Sequence, residues 1–374
     1  MLFSSITFLY CFLPCVLLVY FIVPDRMKNF VLLLSSLLFY GWGEPKYLAF
    51  MLASIAQSYI AARLVERLRG TAGARLVTAL SAAASLGLLA YCKYADFFIE
   101  NFNALTGLSV PLLRVALPVG ISFYTFQILS YVIDVYRDKY APEKNFAKLL
   151  LFVSFFPQMV QGPISRFNDL APQLFARRSL DYTDLKYGIQ LILWGYFKKM
   201  VIADRAAVLV NTVLDDPWSY SGSILAVGVL FYCIQLYGDF SGGIDIIRGA
   251  AELLGIDLPE NFRRPFFAAS IADYWRRWHI SLGSWMRDYV FYPFALTRPV
   301  SRMSKALKKK TGTHIARALP AALGNILVFL LVGVWHGAQM NYVLWGLYNG
   351  VILAFTALVE PVYKRMNDRL PRLT

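Results

Sequence analysis

Long apolar runs separated by short polar stretches dominate this chain. They cover roughly residues 2–23, 29–43, 47–62, 76–91, 117–135, 187–213, 222–242, 316–335 and 340–361. An α-helix of about 20 apolar residues crosses the hydrocarbon core of a bilayer. Lipid offers the backbone no hydrogen bonds, so a spanning segment must satisfy its own. The pattern therefore predicts an all-α polytopic membrane protein with about nine or more transmembrane helices, forming a single membrane-embedded domain over 1–374. Residues 149–164, LLLFVSFFPQMVQGPI, do not fit a simple span. They are apolar but short, and Pro157, Gly162 and Pro163 break them. Two readings stand side by side: a re-entrant, cavity-lining segment, and a short helix lying on the cytoplasmic surface.

Composition supports the class. Hydrophobic residues make up 58% and charged residues 16% of the chain, against about 25% charge in a soluble domain. The net charge of +14 is carried by short loops. Arg26 and Lys28 follow the first run, and Arg63, Arg67, Arg69 and Arg75 follow the third. Arg137, Lys139, Lys144 and Lys148 follow the fifth, and Arg166, Arg177, Arg178 and Lys186 continue that stretch. Lys364, Arg365, Arg369 and Arg372 close the chain. This is a topology signal with anionic-lipid contact, and it argues against nucleic-acid binding. It places the N-terminus outside, the C-terminus in the cytoplasm, and Asp215–Asp216 outside. That arrangement needs an odd number of crossings. Cys11, Cys15, Cys92 and Cys233 lie in or beside apolar runs without metal-ligand spacing. They read as buried small apolar residues with no disulfide framework.

Polar chemistry concentrates between Gln235 and Phe294, where acids, arginines, glycines and a histidine interleave with aromatics. If Asp273 to Asp288 is one helix, Asp273, Arg277, Ser281, Ser284 and Asp288 share a face. Trp275, His279, Leu282 and Met286 share another. An interfacial amphipathic helix with a packed histidine explains this as well as a site does. His336, in the segment LLVGVWHGAQMNY, stands between Trp335 and Gly337. A neutral imidazole suits proton abstraction from a hydroxyl, and Gly337 permits close approach to it. An interfacial histidine in an aromatic belt is the plain alternative. His314 lies in a basic loop and receives no role. Asp239 and Asp245 flank Gly242–Gly243. They either line a polar path or, the favoured reading, pair with nearby arginines to brace the bundle. No P-loop, dinucleotide-binding glycine pattern, HExxH or GxSxG occurs.

Five segments together resemble the membrane-bound O-acyltransferase family on its bacterial branch, the branch of alginate O-acetylation and teichoic-acid D-alanylation. They are FFPQMVQGPISRFNDLAPQL at 155–174, GDFSGGIDI at 238–246, PENFRRPFF at 259–267, YWRRWHISLGSWMRDYVFYPF at 274–294, and VGVWHGAQMNYVLWGLYNG at 332–350. The resemblance implies helices and interfacial segments around a central tunnel, with His336 as the catalytic histidine and His279 as the second polar position. Trp335, Gly337, Gln235, Asp239, Asn261, Arg276, Arg277, Trp278 and Asp288 are the accompanying tunnel and substrate candidates. The donor it implies is acetyl-CoA or an acylated carrier protein arriving from the cytoplasm, with Arg263, Arg264, Arg276 and Arg277 placed to meet its phosphates. No tightly bound cofactor and no metal is expected. The acceptor is an exported polysaccharide or a relay partner outside the cytoplasm. Two departures stand out. Gly243 and Ile244 replace the tyrosine and serine of the family's FSGYSD, and relatives of the alginate type continue with further helices beyond the point matching Thr374. Two other functions are compatible with the residues: D-alanyl transfer from a carrier protein to teichoic acid, and, outside the class, a polytopic transporter or flippase.

The charge pattern is directly testable. In a cysteine-free variant, a single cysteine at position 67 should resist an impermeant thiol reagent in intact cells, while one at position 216 should react. Labelling at 67 would contradict the orientation.

Overall fold

The computed structural model describes residues 1–43, 45–311 and 313–369, and most of them are helical. Among the described residues the one β-type pairing is an isolated antiparallel bridge between Phe262 and Trp278. Arg372, expected in the C-terminal basic cluster, lies outside the described residues.

A π turn over Phe8–Phe12 leads into α1 (Leu13–Ile22), followed by α2 (Asp25–Gly43), α3 (Pro45–Arg67) and α4 (Ala72–Thr106). Then come α5 (Ile121–Tyr136), α6 (Phe146–Ser154), α7 (Phe156–Met159), α8 (Phe167–Phe175) and α9 (Tyr182–Tyr196). A π turn over Phe197–Ala203 joins α9 to α10 (Asp204–Leu214), and α11 (Gly222–Glu252) follows. The remaining helices are α12 (Ile271–Arg277), α13 (Ile280–Met286), α14 (Tyr292–Ala295), α15 (Arg298–Thr311), α16 (Thr313–His336) and α17 (Met340–Arg369). Among the described residues, five stretches are long and apolar enough to cross a membrane: α3, α4, α11, α16 and Met340–Met366 of α17. Ile60, Leu80, Leu230, Leu331 and Phe355 are among many large apolar side chains left exposed on these helices, as lipid-facing surfaces require. The protein is an integral membrane protein.

The chain forms two compact units, and the division falls within α4. One holds Met1–Leu89 and Leu117–Asn261. The other holds Ala90–Ala116 and the described residues from Phe262 onward.

In the first unit, the proline-broken segment is buried without interruption from Leu149 to Met159. That overturns the surface-helix reading and agrees with irregular backbone enclosed by protein. The break at Phe155 frees backbone groups, and side chains take them up. Phe156 N–H donates to Ser36 Oγ at 3.1 Å, and Gln158 Nε2 donates to Phe152 O at 2.5 Å. Phe156 also joins an aromatic cluster with Phe8, Phe12 and Phe39.

Glycines set a second feature of this unit. Gly188 of α9 faces Gly249 of α11, and Gly195 faces Gly242, so the two helices run antiparallel at near-backbone contact. A β-carbon at Gly195 would come within 2.6 Å of the Gly242 carbonyl oxygen, and one at Gly249 within 2.5 Å of the Gly188 oxygen. Small residues are what let membrane helices approach closely enough for dispersion to hold them. The charges around this seam are paired. Lys198, on the π turn, reaches Asp245 at 2.7 Å and Ser241 at 3.0 Å. Lys199 reaches Asp239 at 2.7 Å and Asp204 at 2.6 Å. The ion pairs expected of Asp239 and Asp245 are present, with lysines in place of the expected arginines. The wide π turn carries both ammonium groups towards α11. Gly243 leaves room for the Gln161 side chain, and Ile244 is buried.

In the second unit, α16 and α17 form an antiparallel hairpin. A β-carbon on Gly346 would strike the Phe329 carbonyl, and one on Gly333 the Tyr342 carbonyl. His314 sits near the far end of the hairpin, 3.1 Å from the Leu358 carbonyl oxygen, a structural contact. The four cysteines are free. Cys92 is buried as expected, but Cys11 and Cys15 are exposed on an apolar helix, where a thiol is a small apolar group that lipid accepts.

Overpacking a tight contact costs about 1–3 kcal/mol. Gly195→Leu should therefore lower the detergent melting temperature and purified yield. Gly87→Leu, where a β-carbon meets nothing within 4 Å, should leave both unchanged. Equal effects from the two variants would contradict the seam.

Candidate functional site

The site grows from a break in a helix. Ser270 caps α12 by accepting from the Asp273 N–H at 3.1 Å, the usual service of a serine at that position. Asp273 in turn accepts from Arg277 at 2.7 Å and sits 3.7 Å from Arg276. The hydrogen bond from Arg277 holds the Asp273 carboxyl below the usual carboxylate range. The helix then stops. Trp278 is extended, and His279 adopts a left-handed conformation at φ 47, ψ 53 before α13 begins. A single helix over Asp273–Asp288 is therefore not formed. The reason is local. Trp278 pairs with Phe262 in the isolated bridge, and Arg263 N–H donates to Arg277 O at 3.0 Å, which takes up backbone groups that a continuous helix would use itself. The Trp278 ring stacks on Tyr274 and meets Phe262 edge-on at 5.0 Å. It is an anchor of the break. Left-handed backbone is unfavourable for a side chain with a β-carbon, though histidine is among the residues enriched there. Such strain persists where the surroundings impose it.

This conformation buries His279, which is 5% exposed. Burial holds its imidazole well below the usual histidine range, with nearby His336 adding to the effect, so the ring is neutral at pH 7. Its ring lies 6.3 Å from that of Trp335. The Trp335 ring also lies 4.8 Å from that of its neighbour His336. His336 is the last residue of α16 and is exposed. It meets Trp345 edge-on at 5.3 Å and Tyr342 nearly parallel at 6.3 Å. One tryptophan thus has two imidazoles as ring neighbours, one buried and neutral and one exposed. Gly337 serves this packing. A β-carbon there would run into the Tyr342 ring, so what approaches Gly337 in this structure is a tyrosine.

A cavity of about 430 Å³ opens beside His279, walled by Trp275, Met286, Phe329 and Val332, with Asn325 and Arg276 as polar lining. Trp275, His279, Leu282 and Met286, grouped by helical spacing in the sequence, all line it although the helix is broken between them. Arg276 is exposed, whereas Arg277 is held by Asp273. Asp288 pairs with its neighbour Arg287 at 3.0 Å and lies past the cavity. Arg263 and Arg264 are exposed on the segment before α12. Gln235, Asp239 and Asn261 belong to the other compact unit, where Asp239 is committed to Lys199.

Sequence reasoning missed Lys93 and Tyr94, which touch the end of α16. Tyr94 donates to Val334 O at 2.6 Å, and Lys93 donates to Trp335 O. It also missed Tyr342 and Trp345, whose rings frame His336. The available signal was a lysine just past the apolar run at 76–91, among Cys92, Tyr94 and Ala95.

Comparison with known proteins identifies the family. Residues 46–372 match the model of MBOAT, the membrane-bound O-acyltransferase family. The probable alginate O-acetylase of Pseudomonas syringae pv. tomato is 36% identical over 376 residues, covering 96% of this chain and 67% of that protein. The peptidoglycan O-acetyltransferase of Helicobacter pylori is 31% identical over 404 residues, covering 100% of this chain and 73% of its own length. The teichoic acid D-alanyltransferase of Bacillus subtilis is 32% identical over 240 residues, covering 63% of this chain and 58% of that protein. The chain spans about two thirds of the length of the alginate relatives it matches. With the family model spanning most of the chain, this protein belongs to the membrane-bound O-acyltransferase family and is an integral membrane acyltransferase.

Proposed function

We propose that this protein is an O-acetyltransferase of the plasma or inner membrane, moving an acetyl group from a cytoplasmic thioester to a hydroxyl of an exported polysaccharide or of a relay partner. The observation that carries this reading is the pair of imidazoles that share Trp335 as a ring neighbour, one exposed and one buried neutral. His336 is the general base. The acceptor oxygen attacks the thioester carbonyl carbon while its proton passes to the His336 imidazole. The tetrahedral intermediate then collapses, the carbon–sulfur bond breaks with its electron pair going to sulfur, and the imidazolium returns the proton to the leaving thiol. His279 orients the hydroxyl or donates a hydrogen bond to the oxyanion, which a neutral ring can do through its N–H. The donor is acetyl-CoA or an acylated carrier protein, and the exposed residues Arg263, Arg264 and Arg276 lie on the segments placed to meet its phosphates.

Relatives named for O-acetylation extend along 95% or more of the chain, which favours acetyl transfer. D-alanyl transfer is the second reading, supported by the shorter match to a D-alanyltransferase. For the membrane arrangement we propose nine crossings with the N-terminus outside and the C-terminus cytoplasmic. Five are the long helices above, and the rest are Phe8–Ile22, α2, α5 and the composite of α9 and α10. The basic loops support that orientation.

His336→Ala and His336→Gln should each lower transfer of radiolabelled acetyl in proteoliposomes by about 10²–10⁴-fold at unchanged protein level, because glutamine hydrogen-bonds but takes no proton. Wild-type turnover in both variants would remove His336 as the base. His279→Asn, which tolerates left-handed backbone, should insert and melt as wild type yet lose most activity. If it instead disappears from the membrane, His279 is a packing residue only.

A further inference from the structure

A helix end is ordinarily its loosest part, because its last carbonyls have no partner within the helix. His336 stands on such an end. Here two of those carbonyls are claimed by side chains of α4. Tyr94 donates to the Val334 oxygen at 2.6 Å, and Lys93 Nζ donates to the Trp335 oxygen. The same ammonium lies 5.5 Å from the centroid of the Trp335 ring, within reach of a cation–π attraction. A positive charge at a helix C-terminus is favoured by the helix dipole. Lys93 is thus bonded to the backbone of the residue before His336 and rests against the ring that both imidazoles neighbour.

The choice of residue is informative. Tyr94 shows that a neutral hydroxyl can tie this helix end. A lysine inside an apolar spanning helix is costlier, and such residues ordinarily find an acid. Among the described residues no carboxylate pairs with Lys93. Its partners are the Trp335 carbonyl and the Tyr94 and Trp335 rings. The ring contacts of His336 orient its imidazole but leave the backbone of the terminal turn free, and the two side-chain bonds from α4 hold that backbone.

We propose that Lys93 is a positioning residue for His336. With Tyr94 it clamps the end of α16, so that the imidazole keeps one aim through the catalytic cycle. This rests on the assignment of His336 as the base. Misplacing a reacting group by about 1 Å can cost on the order of a hundredfold in rate, so the clamp has a measurable share in catalysis without touching substrate.

The test uses the full chain purified in detergent and in proteoliposomes. The variants are Lys93→Met, Lys93→Arg, Tyr94→Phe, His336→Gln and the Lys93→Met/His336→Gln double variant. Amide hydrogen exchange reads the clamp itself. Exchange at residues 335–338 should quicken in Lys93→Met, remain near wild type in Lys93→Arg, and change less in Tyr94→Phe. Transfer from radiolabelled acetyl-CoA to alginate oligosaccharide reads its consequence. Lys93→Met should lower kcat roughly tenfold to a hundredfold with KM for acetyl-CoA unchanged, and Lys93→Arg should restore most of the loss. In the His336→Gln background Lys93→Met should add nothing, because a residue acting through His336 has no effect once the base is gone. Unchanged exchange in Lys93→Met, or the same fold loss in both backgrounds, overturns the proposal for Lys93. Wild-type turnover in His336→Gln overturns the base assignment, and the positioning role falls with it.

Discussion

Where a chain is surrounded by lipid, every backbone group left over at a helix break must find a partner inside the protein. The architecture of this protein depends on how it meets that demand. At Phe155 the partners are the Ser36 hydroxyl and the Gln158 amide. At Trp278–His279 they come from the segment that begins at Phe262. At the end of α16 they are Tyr94 and Lys93. Two of these three places carry the histidines. A continuous helix presents side chains only at its fixed angular spacing. The left-handed turn at His279 takes a side chain out of that spacing and into the interior, and the terminal turn at His336 holds another at an accessible edge. The residues best placed for chemistry are therefore those where regular structure stops.

Charge is handled differently in the two compact units. In the first, Lys198 and Lys199 meet Asp245, Asp239 and Asp204 beside the glycine seam. Removing one partner of the largely buried Lys198–Asp245 pair would leave an uncompensated charge, so that pair holds the packing in register whether or not it adds net stability. In the second, Lys93 meets a carbonyl and aromatic rings. The first arrangement braces two helices whose glycines already touch. The second puts a charge next to Trp335 and the end of the helix that carries His336.

Much of the fold was legible in the sequence because one variable, apolar length, decides it. The runs at 47–62, 76–91, 316–335 and 340–361 all lie within long helices. The run at 187–213 is one continuous helical path despite its four charges, since a π turn redirects Lys198 and Lys199 towards acids on a helix far along the sequence. The site was legible in composition more than in geometry. Trp275, His279, Leu282 and Met286 do share a cavity, but the helix that grouped them is broken by a bridge to Phe262, a tertiary contact that no local periodicity encodes. Gly337 was read as room for a substrate, and the space is filled by Tyr342. Lys93 sits just beyond the apolar run at 76–91. Its role depends on which helix end it meets, and the linear order of residues does not state that.

The central claim is that acyl transfer takes place around Trp335, with His336 at the reacting atoms. A cryo-electron microscopy map of the protein with a non-hydrolysable thioether analogue of acetyl-CoA tests it most directly. The account predicts density for the acyl end of the analogue against Trp335, with its carbonyl carbon one hydroxyl away from the His336 imidazole and its arm leading towards Arg276. Well-ordered density for the acyl end among Lys199, Asp239 and Asp204, with none near His336, would contradict it.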